Sequence, residues 1–263
     1  MKGRVLIVAG SDSGGGAGIQ ADLKTVLALG AHGMTAITAL TAQDTLGVHG
    51  IHAIPPDFVR QQMEVVLADL GADAVKTGML GDAALIETVA EVLRGRNLPL
   101  VMDPVMVAKG GARLLDPAAL DALRGMIPLA TVLTPNIPEA EALLGHAIGD
   151  PVEAARALLR FGAAAILLKG GHGDGAIVRD VLATADGVMI LEMPRIETRH
   201  THGTGCTLAS AVAAGLSQGL GLDAAVRRAR AYVQAAIAAA PGFGAGHGPL
   251  DHSVRMGLAG RDR

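Results

Sequence analysis

Short apolar runs alternate with amphipathic segments over most of the chain. Runs at 4–9, 34–40, 74–76, 98–102, 131–133 and 164–168 predict strands, and some, such as Val5-Leu6-Ile7-Val8, are apolar at consecutive positions. Unbroken apolarity means burial on both faces of a sheet, and the helical patterns between the runs are the connections that parallel strands require. The pattern therefore predicts a three-layer α/β/α fold around a mostly parallel central sheet. Pro56 opens a helix whose Val59, Met63, Val66, Leu67 and Leu70 share one face, and Asp116-Pro117 opens another.

Beyond Gly170 the pattern changes. Residues 177–178 and 188–191, flanked by Gly173-Asp174-Gly175 and Asp186-Gly187, predict a small inserted β-hairpin. Two Ala-rich helices follow at 205–218 and 223–239, and 241–249 reads as a Gly-rich terminal loop. No linker, repeat or domain-scale charge shift interrupts the 263 residues, so a single domain spanning 1–263 is expected.

Composition narrows the function. Half the residues are apolar but only three Phe and one Tyr are present, so aromatic stacking on bases is unavailable. Net charge is −3 and no basic run exceeds Arg227-Arg228, which argues against nucleic acid or a membrane surface as partner. The single cysteine, Cys206, excludes an internal disulfide framework and fits a reducing, cytoplasmic setting. The apolar stretch at 5–9 is too short for a signal-peptide core, and the uncharged stretch near 203–222 holds five glycines, making it a poor membrane span.

Two glycine-rich loops carry candidate chemistry. After the first strand comes Gly10-Ser11-Asp12-Ser13-Gly14-Gly15-Gly16-Ala17-Gly18, then a helix from near Ile19. A dinucleotide fingerprint would need its first glycine directly after the strand, whereas six residues, 10–15, intervene here. A P-loop would need glycine where Leu23 stands before Lys24-Thr25. The remaining readings are a loop whose backbone approaches a small ligand, with Asp22 facing it, or a merely flexible connection. The second loop, Thr201-His202-Gly203-Thr204-Gly205-Cys206, precedes an Ala-rich helix. Backbone N–H groups of Gly203, Thr204 and Gly205 at that helix start predict an anion hole, and the same field is expected to lower the Cys206 thiol pKa, making it a base or nucleophile. The alternative is an inert, buried cysteine. Zinc ligation by His200, His202 and Cys206 is disfavoured, since three ligands leave the set short and would consume the anion hole.

A third group sits at strand ends: Asp103, then Asn136 and Glu139, then Lys169. In an open α/β sheet these ends meet in one crevice, where carboxylates and an amide suit Mg²⁺ held partly through water, and Lys169 suits triphosphate oxygens. Asn136-Ile137-Pro138-Glu139 also has the form of a capping box.

The chain resembles the ribokinase-like superfamily and, within it, the hydroxymethylpyrimidine and phosphomethylpyrimidine kinases of thiamine biosynthesis. The likeness spans nearly the whole length. It rests on Ala9-Gly10-Ser11-Asp12-Ser13, Gly18-Ile19-Gln20-Ala21-Asp22-Leu23-Lys24, Thr41-Ala42-Gln43, Lys76-Thr77-Gly78-Met79-Leu80, Asp103-Pro104-Val105-Met106, Thr134-Pro135-Asn136, Lys169-Gly170-Gly171-His172, the second glycine loop and Gly246-His247-Gly248-Pro249. The resemblance implies ATP- and Mg²⁺-dependent phosphorylation of 4-amino-5-hydroxymethyl-2-methylpyrimidine and then of its monophosphate. By the same likeness Gln43 reads the pyrimidine, Gly10, Asp22 and Met79 line its pocket, and Cys206, where the wider superfamily usually has Asp, adjoins the hydroxymethyl oxygen. Asp44 replaces a common Asn and adds a charge beside that pocket, and the short segment after His172 leaves room only for a small lid. A homodimer is expected. The rival readings are a pyridoxine or pyridoxal kinase, whose substrate offers the same hydroxymethyl arm, and a non-catalytic pyrimidine-binding regulator.

Overall fold

Nine strands form one sheet in the computed structural model, which describes residues 1–108, 110–171 and 175–255. In chain order the strands are β1 (Arg4–Asp12), β2 (His32–Gln43), β3 (Val48–Ala53), β4 (Ala74–Thr77), β5 (Leu100–Met102), β6 (Val132–Leu133), β7 (Ala165–Leu168), β8 (Ile177–Thr184) and β9 (Gly187–Pro194). Their order across the sheet is β3-β2-β1-β4-β5-β6-β7-β8-β9. The six from β2 to β7 are parallel, while β3 at one edge and the β8–β9 hairpin at the other run antiparallel to their neighbours.

Strand alternation sorts the core into two halves. Leu6 and Val8 point to one face, where they meet Val59 and Met63 of α2 (Pro56–Asp69) and Ile86 of α3 (Ala83–Leu93). That face also carries α4 (Leu120–Met126), α5 (Ile137–Leu144) and α6 (Pro151–Leu159). Val5, Ile7 and Ala9 point the other way, onto Val26 of α1 (Gly18–Ala28), Val212 of α7 (Thr204–Ser217) and Val233 of α8 (Leu222–Ala238). Each large aliphatic side chain buried in this way contributes about 1.5–3 kcal/mol, which is how a core almost without aromatics holds. Tyr232, the only tyrosine, is fully buried and donates its hydroxyl to the His252 carbonyl at 2.9 Å, tying the chain's last described segment to α8.

The structure departs from the sequence reading in three places, β1, β3 and α2. β1 does not stop at Ala9: it continues through a register irregularity to Ser11 and Asp12, which pair with Leu40 and Thr41, so the glycine loop proper starts at Ser13. The polar Ser11-Asp12 pair disguised this extension. β3 leaves no hydrophobic period to read in the sequence, because it is an edge strand, Val-His-Gly-Ile-His-Ala, that buries neither face. On α2 only Val59 and Met63 are buried, and Leu70 lies outside, at the exposed C-terminal cap. The segment 241–249 is a loop, as expected, and is tied to the body of the protein: His247 N–H donates to Thr45 O at 2.8 Å and His202 N–H to Gly248 O at 3.2 Å. Gly173-Asp174 and the small lid expected after His172 lie outside the described residues.

Candidate active site

The parallel strands all end at the same edge of the sheet. Asp12 and Gln43 close β1 and β2, Gly78 and Met79 follow β4, Asp103 follows β5, Asn136 lies just past β6 and Lys169 directly follows β7. From β2 to β7 is five strand spacings, roughly 24 Å at the usual 4.7–4.9 Å per strand. Chain order reverses between β2-β1 and β4, and a crevice opens at such a switch point. It is a cavity of about 830 Å³, bordered by Gly10, Gln43 and Met79 on the β1–β2 side and by Arg195, Gln234 and Ile237 beyond β7, with Asp103, Lys169 and Gly203 to Cys206 also in its wall.

On the β1–β2 side, Asp12 organises the glycine loop. Its Oδ1 accepts from Gly14 N–H at 2.8 Å, and its Oδ2 accepts from Gly16 and Ala17 N–H at 3.0 and 2.7 Å and stands 2.9 Å from His202 Nε2. Burial works to raise the Asp12 pKa, but His202 and these N–H groups outweigh it and hold the carboxyl below its ordinary value. His202 Nε2 also lies 3.2 Å from Gln43 Nε2, and Gln43 Oε1 lies 3.1 Å from Thr41 Oγ1, so the Gln43 amide is held at the cavity wall from two sides. Asp44 turns away from the cavity: its Oδ1 accepts from Leu46 and Gly47 N–H, and Oδ2 pairs with His49 at 3.0 Å, so it shapes the β2–β3 turn instead of adding charge to the pocket.

The start of α7 stands between the two ends. Gly203 takes φ +82°, and a Cβ there would run into the Gly16 carbonyl, so the two glycine loops touch through this residue. No side chain caps the helix. Thr204 leaves the expected anion hole, because its N–H is bonded to Thr201 O at 3.3 Å; the first N–H groups of the helix free of an intrahelical partner are those of Gly205 and Cys206. A Cβ on Gly205 would lie 3.2 Å from Lys169 Nζ, so its absence brings the helix start close to the ammonium. The thiol of Cys206 departs from expectation: burial pushes it up to about 11, with Asp22 and Asp103 adding to the rise and Lys76 opposing it. Desolvation overrides the helix-end field.

On the β5–β7 side Lys169 Nζ stands 2.9 Å from Asp103 Oδ1 and 3.7 Å from Glu139 Oε2. Asp103 also accepts from Thr134 Oγ1 at 3.3 Å. Two carboxylates thus share one ammonium. Burial is the largest cause of the Glu139 shift, Lys169 offsets only part of it, and Asp103 adds repulsion, leaving Glu139 raised to about 7. Glu139 and Asn136 form the capping box of α5 as well, Asn136 N–H donating to Glu139 Oε2 at 2.8 Å and Glu139 N–H to Asn136 Oδ1 at 2.9 Å. The two sequence readings of this motif therefore coexist: the box locks the Glu139 carboxylate at the cavity wall. Among the described residues no three His, Cys, Asp or Glu side chains converge to hold a metal by themselves. An under-neutralised carboxylate beside an amide oxygen does fit a hard cation that keeps most of its other ligands from water or phosphate.

Gly10, Gln43, Met79, Asp103, Asn136, Glu139, Lys169 and Gly203 to Cys206 all border the cavity. Asp22 does not. It is fully buried beneath the floor, paired to Lys76 at 2.8 Å and accepting from Ser210 Oγ at 2.7 Å, with its pKa raised by burial. Sequence reasoning gave no role to Asp12, His202 or Lys76. Asp12 was legible as an Asx residue ahead of four near-consecutive glycines, and Lys76 as a lysine in a strand whose other three members are apolar or small.

The profile of the family described as phosphomethylpyrimidine kinase matches residues 12–251. The hydroxymethylpyrimidine/phosphomethylpyrimidine kinase of Streptomyces coelicolor is 52% identical over 257 residues, covering 96% of this chain and 95% of the relative. Among solved structures, an ADP complex of Bacillus subtilis pyridoxal kinase superposes with a TM-score of 0.90 at 38% identity, covering 96% of this chain and 98% of that one. Phosphomethylpyrimidine kinase from Clostridium difficile 630 gives 0.79 at 39% identity, covering 89% and 98%. No helix among the described residues is long and apolar enough to cross a membrane. With sequence identity of this order along nearly its full length and a close superposition on solved structures, the chain belongs to the phosphomethylpyrimidine kinase family.

Proposed function

We propose that the protein transfers the γ-phosphoryl group of ATP to the hydroxymethyl oxygen of 4-amino-5-hydroxymethyl-2-methylpyrimidine, and then to the resulting monophosphate, in thiamine biosynthesis. The observation that carries this reading is the placement of one cavity along the strand ends, with a neutral wall of the Gln43 amide and the Met79 thioether, a cationic and acidic cluster at Lys169, Asp103 and Glu139, and a helix start between them. The Streptomyces coelicolor relative bears the same two activities in its name. The whole chain acts as one kinase domain in the cytoplasm, as a homodimer.

Gln43 offers an acceptor and a donor side by side, matching a ring nitrogen next to an amino group, and Met79 and Gly10 supply a thin apolar slot for the ring. Lys169 carries a firmly held positive charge: burial works against it, but Asp103 and Glu139 more than compensate, and its pKa is raised. That charge holds phosphate oxygens of the nucleotide. The Gly205 and Cys206 N–H groups point at the place where charge develops on the transferring phosphoryl group, and preorganised donors in such a position lower the barrier. Glu139 and Asn136 would hold Mg²⁺, which when bound supplies charge neutralisation on the phosphate oxygens. Cys206 adjoins the attacking oxygen, where its thiolate form would accept the hydroxyl proton.

The test is a substrate panel with mass detection of products: ADP and pyrimidine monophosphate, then diphosphate, are expected with ATP and Mg²⁺. No ADP with the pyrimidine alcohol would refute the reading. A second reading, phosphorylation of pyridoxine or pyridoxal, is favoured by the close superposition on the Bacillus subtilis pyridoxal kinase, and the same panel decides it.

A further inference from the structure

A buried ion pair that the proposed reaction does not use joins the cavity floor, at Lys76, to the interior beneath it, at Asp22. Lys76 and Asp22 are both fully buried, 2.8 Å apart and 54 positions apart in the chain. Their surroundings form a ladder between two packed helices. Gly18 and Asp22 are four residues apart on α1, and Cys206 and Ser210 are four apart on α7, so each pair stacks on one helix face. On the upper rung the Gly18 backbone faces Cys206, and on the lower rung Ser210 Oγ donates to Asp22 Oδ1 at 2.7 Å. Lys76 enters from β4 and reaches along the strand: a Cβ on Gly78, in the cavity wall, would lie 2.9 Å from its Nζ. The ammonium therefore sits between the buried carboxylate and the floor on which Cys206 stands.

A buried lysine could be neutral or could be kept charged by its partner, and here the partner wins. Burial works against the charged form, yet Asp22, with Cys206 and Asp103 behind it, raises the Lys76 pKa. A salt bridge with no exposure gains little net stability over an apolar pair of the same volume, so stability alone does not account for it.

We propose that the Lys76–Asp22 pair is a positioning device for Cys206, the ammonium favouring the thiolate and the carboxylate beside it limiting that effect. The inference rests on the placement of Cys206 at the reacting oxygen given above, and makes Lys76 and Asp22 positioning residues that act through the thiol. The other charged groups facing Cys206 are Asp103 after β5 and Lys169 after β7; both line the cavity and reach the nucleotide side as well, whereas Lys76 borders the cavity without solvent exposure and Asp22 lies beneath it.

The experiment uses the fact that Cys206 is the only thiol. Iodoacetamide alkylation of the full chain without ligands is followed at several pH values for the wild type, Asp22→Asn, Lys76→Met and the double variant. Removing the carboxylate while keeping the ammonium should speed alkylation about threefold or more near pH 8, since lowering a thiol pKa by one unit gives about tenfold more thiolate and loses part of that in nucleophilicity. Lys76→Met should slow it, and adding Lys76→Met to Asp22→Asn should reverse the gain. A pair that only props the fold predicts the same sign for both partners, because either change breaks one salt bridge and loosens the floor; equal signs, or no change, overturn the inference. Folding of each variant is checked by circular dichroism, and Lys76→Met decides the sign on its own, since a loosened floor would speed alkylation where the lost ammonium slows it. Should Lys76→Met not fold, Lys76→Arg, which keeps the charge, should leave the alkylation pH profile close to that of the wild type, and a faster rate at all pH values would overturn the inference. The pH profile of kcat in the same variants separates the two readings: opposed alkylation shifts with an unmoved kcat profile support the electrostatic link while removing the thiolate from proton transfer.

Discussion

The ammonium of Lys169 stands 2.9 Å from Asp103 Oδ1, although 66 positions separate the two residues in the chain. Parallel strands β5 and β7 bring their carboxyl ends to one edge, and the bond locks the side chain that faces the proposed nucleotide. Lys169→Ala should lower turnover by about 10²-fold or more, the scale for losing a charge that stabilises a transferring phosphoryl group. Calorimetric titration with the pyrimidine alcohol in the absence of ATP should remain near normal. Loss of the pyrimidine site with nucleotide binding intact would reverse the assignment of the two ends of the cavity.

At the other end, Gln43 is held between Thr41 and His202 with its amide at the cavity wall. Gln43→Leu removes both a donor and an acceptor and leaves the buried polar atoms of a bound pyrimidine unpaired. Affinity should fall by roughly 1–3 kcal/mol, the scale of an unsatisfied buried polar group. Calorimetry that finds the pyrimidine bound as tightly as before would take Gln43 out of recognition.

These two side chains also mark what the sequence made legible. Strand ends are readable because a buried parallel strand is a short apolar run that stops at its first polar residue: Asp103 after Val101-Met102, Lys169 after Leu167-Leu168. Asp12 hid because its strand ends in polar residues, Ser11 and Asp12, which pair with Leu40 and Thr41 of β2. The placement of Asp22 failed for another reason. On a helix pattern a lone acid reads as surface or ligand-facing, and only the tertiary fold reveals that Lys76 and Ser210 meet it in the interior. The Cys206 thiol was misjudged in the same way, since the helix-end field is a local feature and the desolvation that exceeds it depends on what packs around.

Glu139 gives a pH dependence with a definite sign. Its folded pKa is raised from 4.5 to about 7, chiefly by burial, so the fold prefers the protonated form. The folded state therefore binds this proton more tightly than the unfolded chain. The associated stability is full below about pH 4.5 and is lost as pH rises to about 7, after which it stays lost. Glu139→Gln removes the titration while keeping the side-chain length that the capping box with Asn136 needs. Urea midpoints should show the variant gaining on the wild type by about 1–3 kcal/mol between pH 4.5 and 8. A constant difference across that range would mean that Lys169 satisfies Glu139 fully and no excess charge exists.

Cys206 offers two separable contributions, a backbone N–H at the start of α7 and a side chain able to accept a proton. Cys206→Ala keeps the first and removes the second. ATP and pyrimidine binding should persist, and if the thiolate form takes the hydroxyl proton, turnover should fall by about 10²- to 10⁴-fold, as for a lost general base. Because burial raises the thiol to about 11, the free protein should react with iodoacetamide more slowly at neutral pH than an ordinary exposed thiol does, and bound pyrimidine alcohol should slow it further. Cys206→Asp should restore part of the turnover by placing a carboxylate at the same site. A Cys206→Ala variant that turns over at the original rate would reduce the thiol to a small residue lining the pocket. The hydroxyl proton would then pass to the phosphate oxygens or water, since Asp22 is sealed beneath the floor with both carboxylate oxygens already hydrogen-bonded.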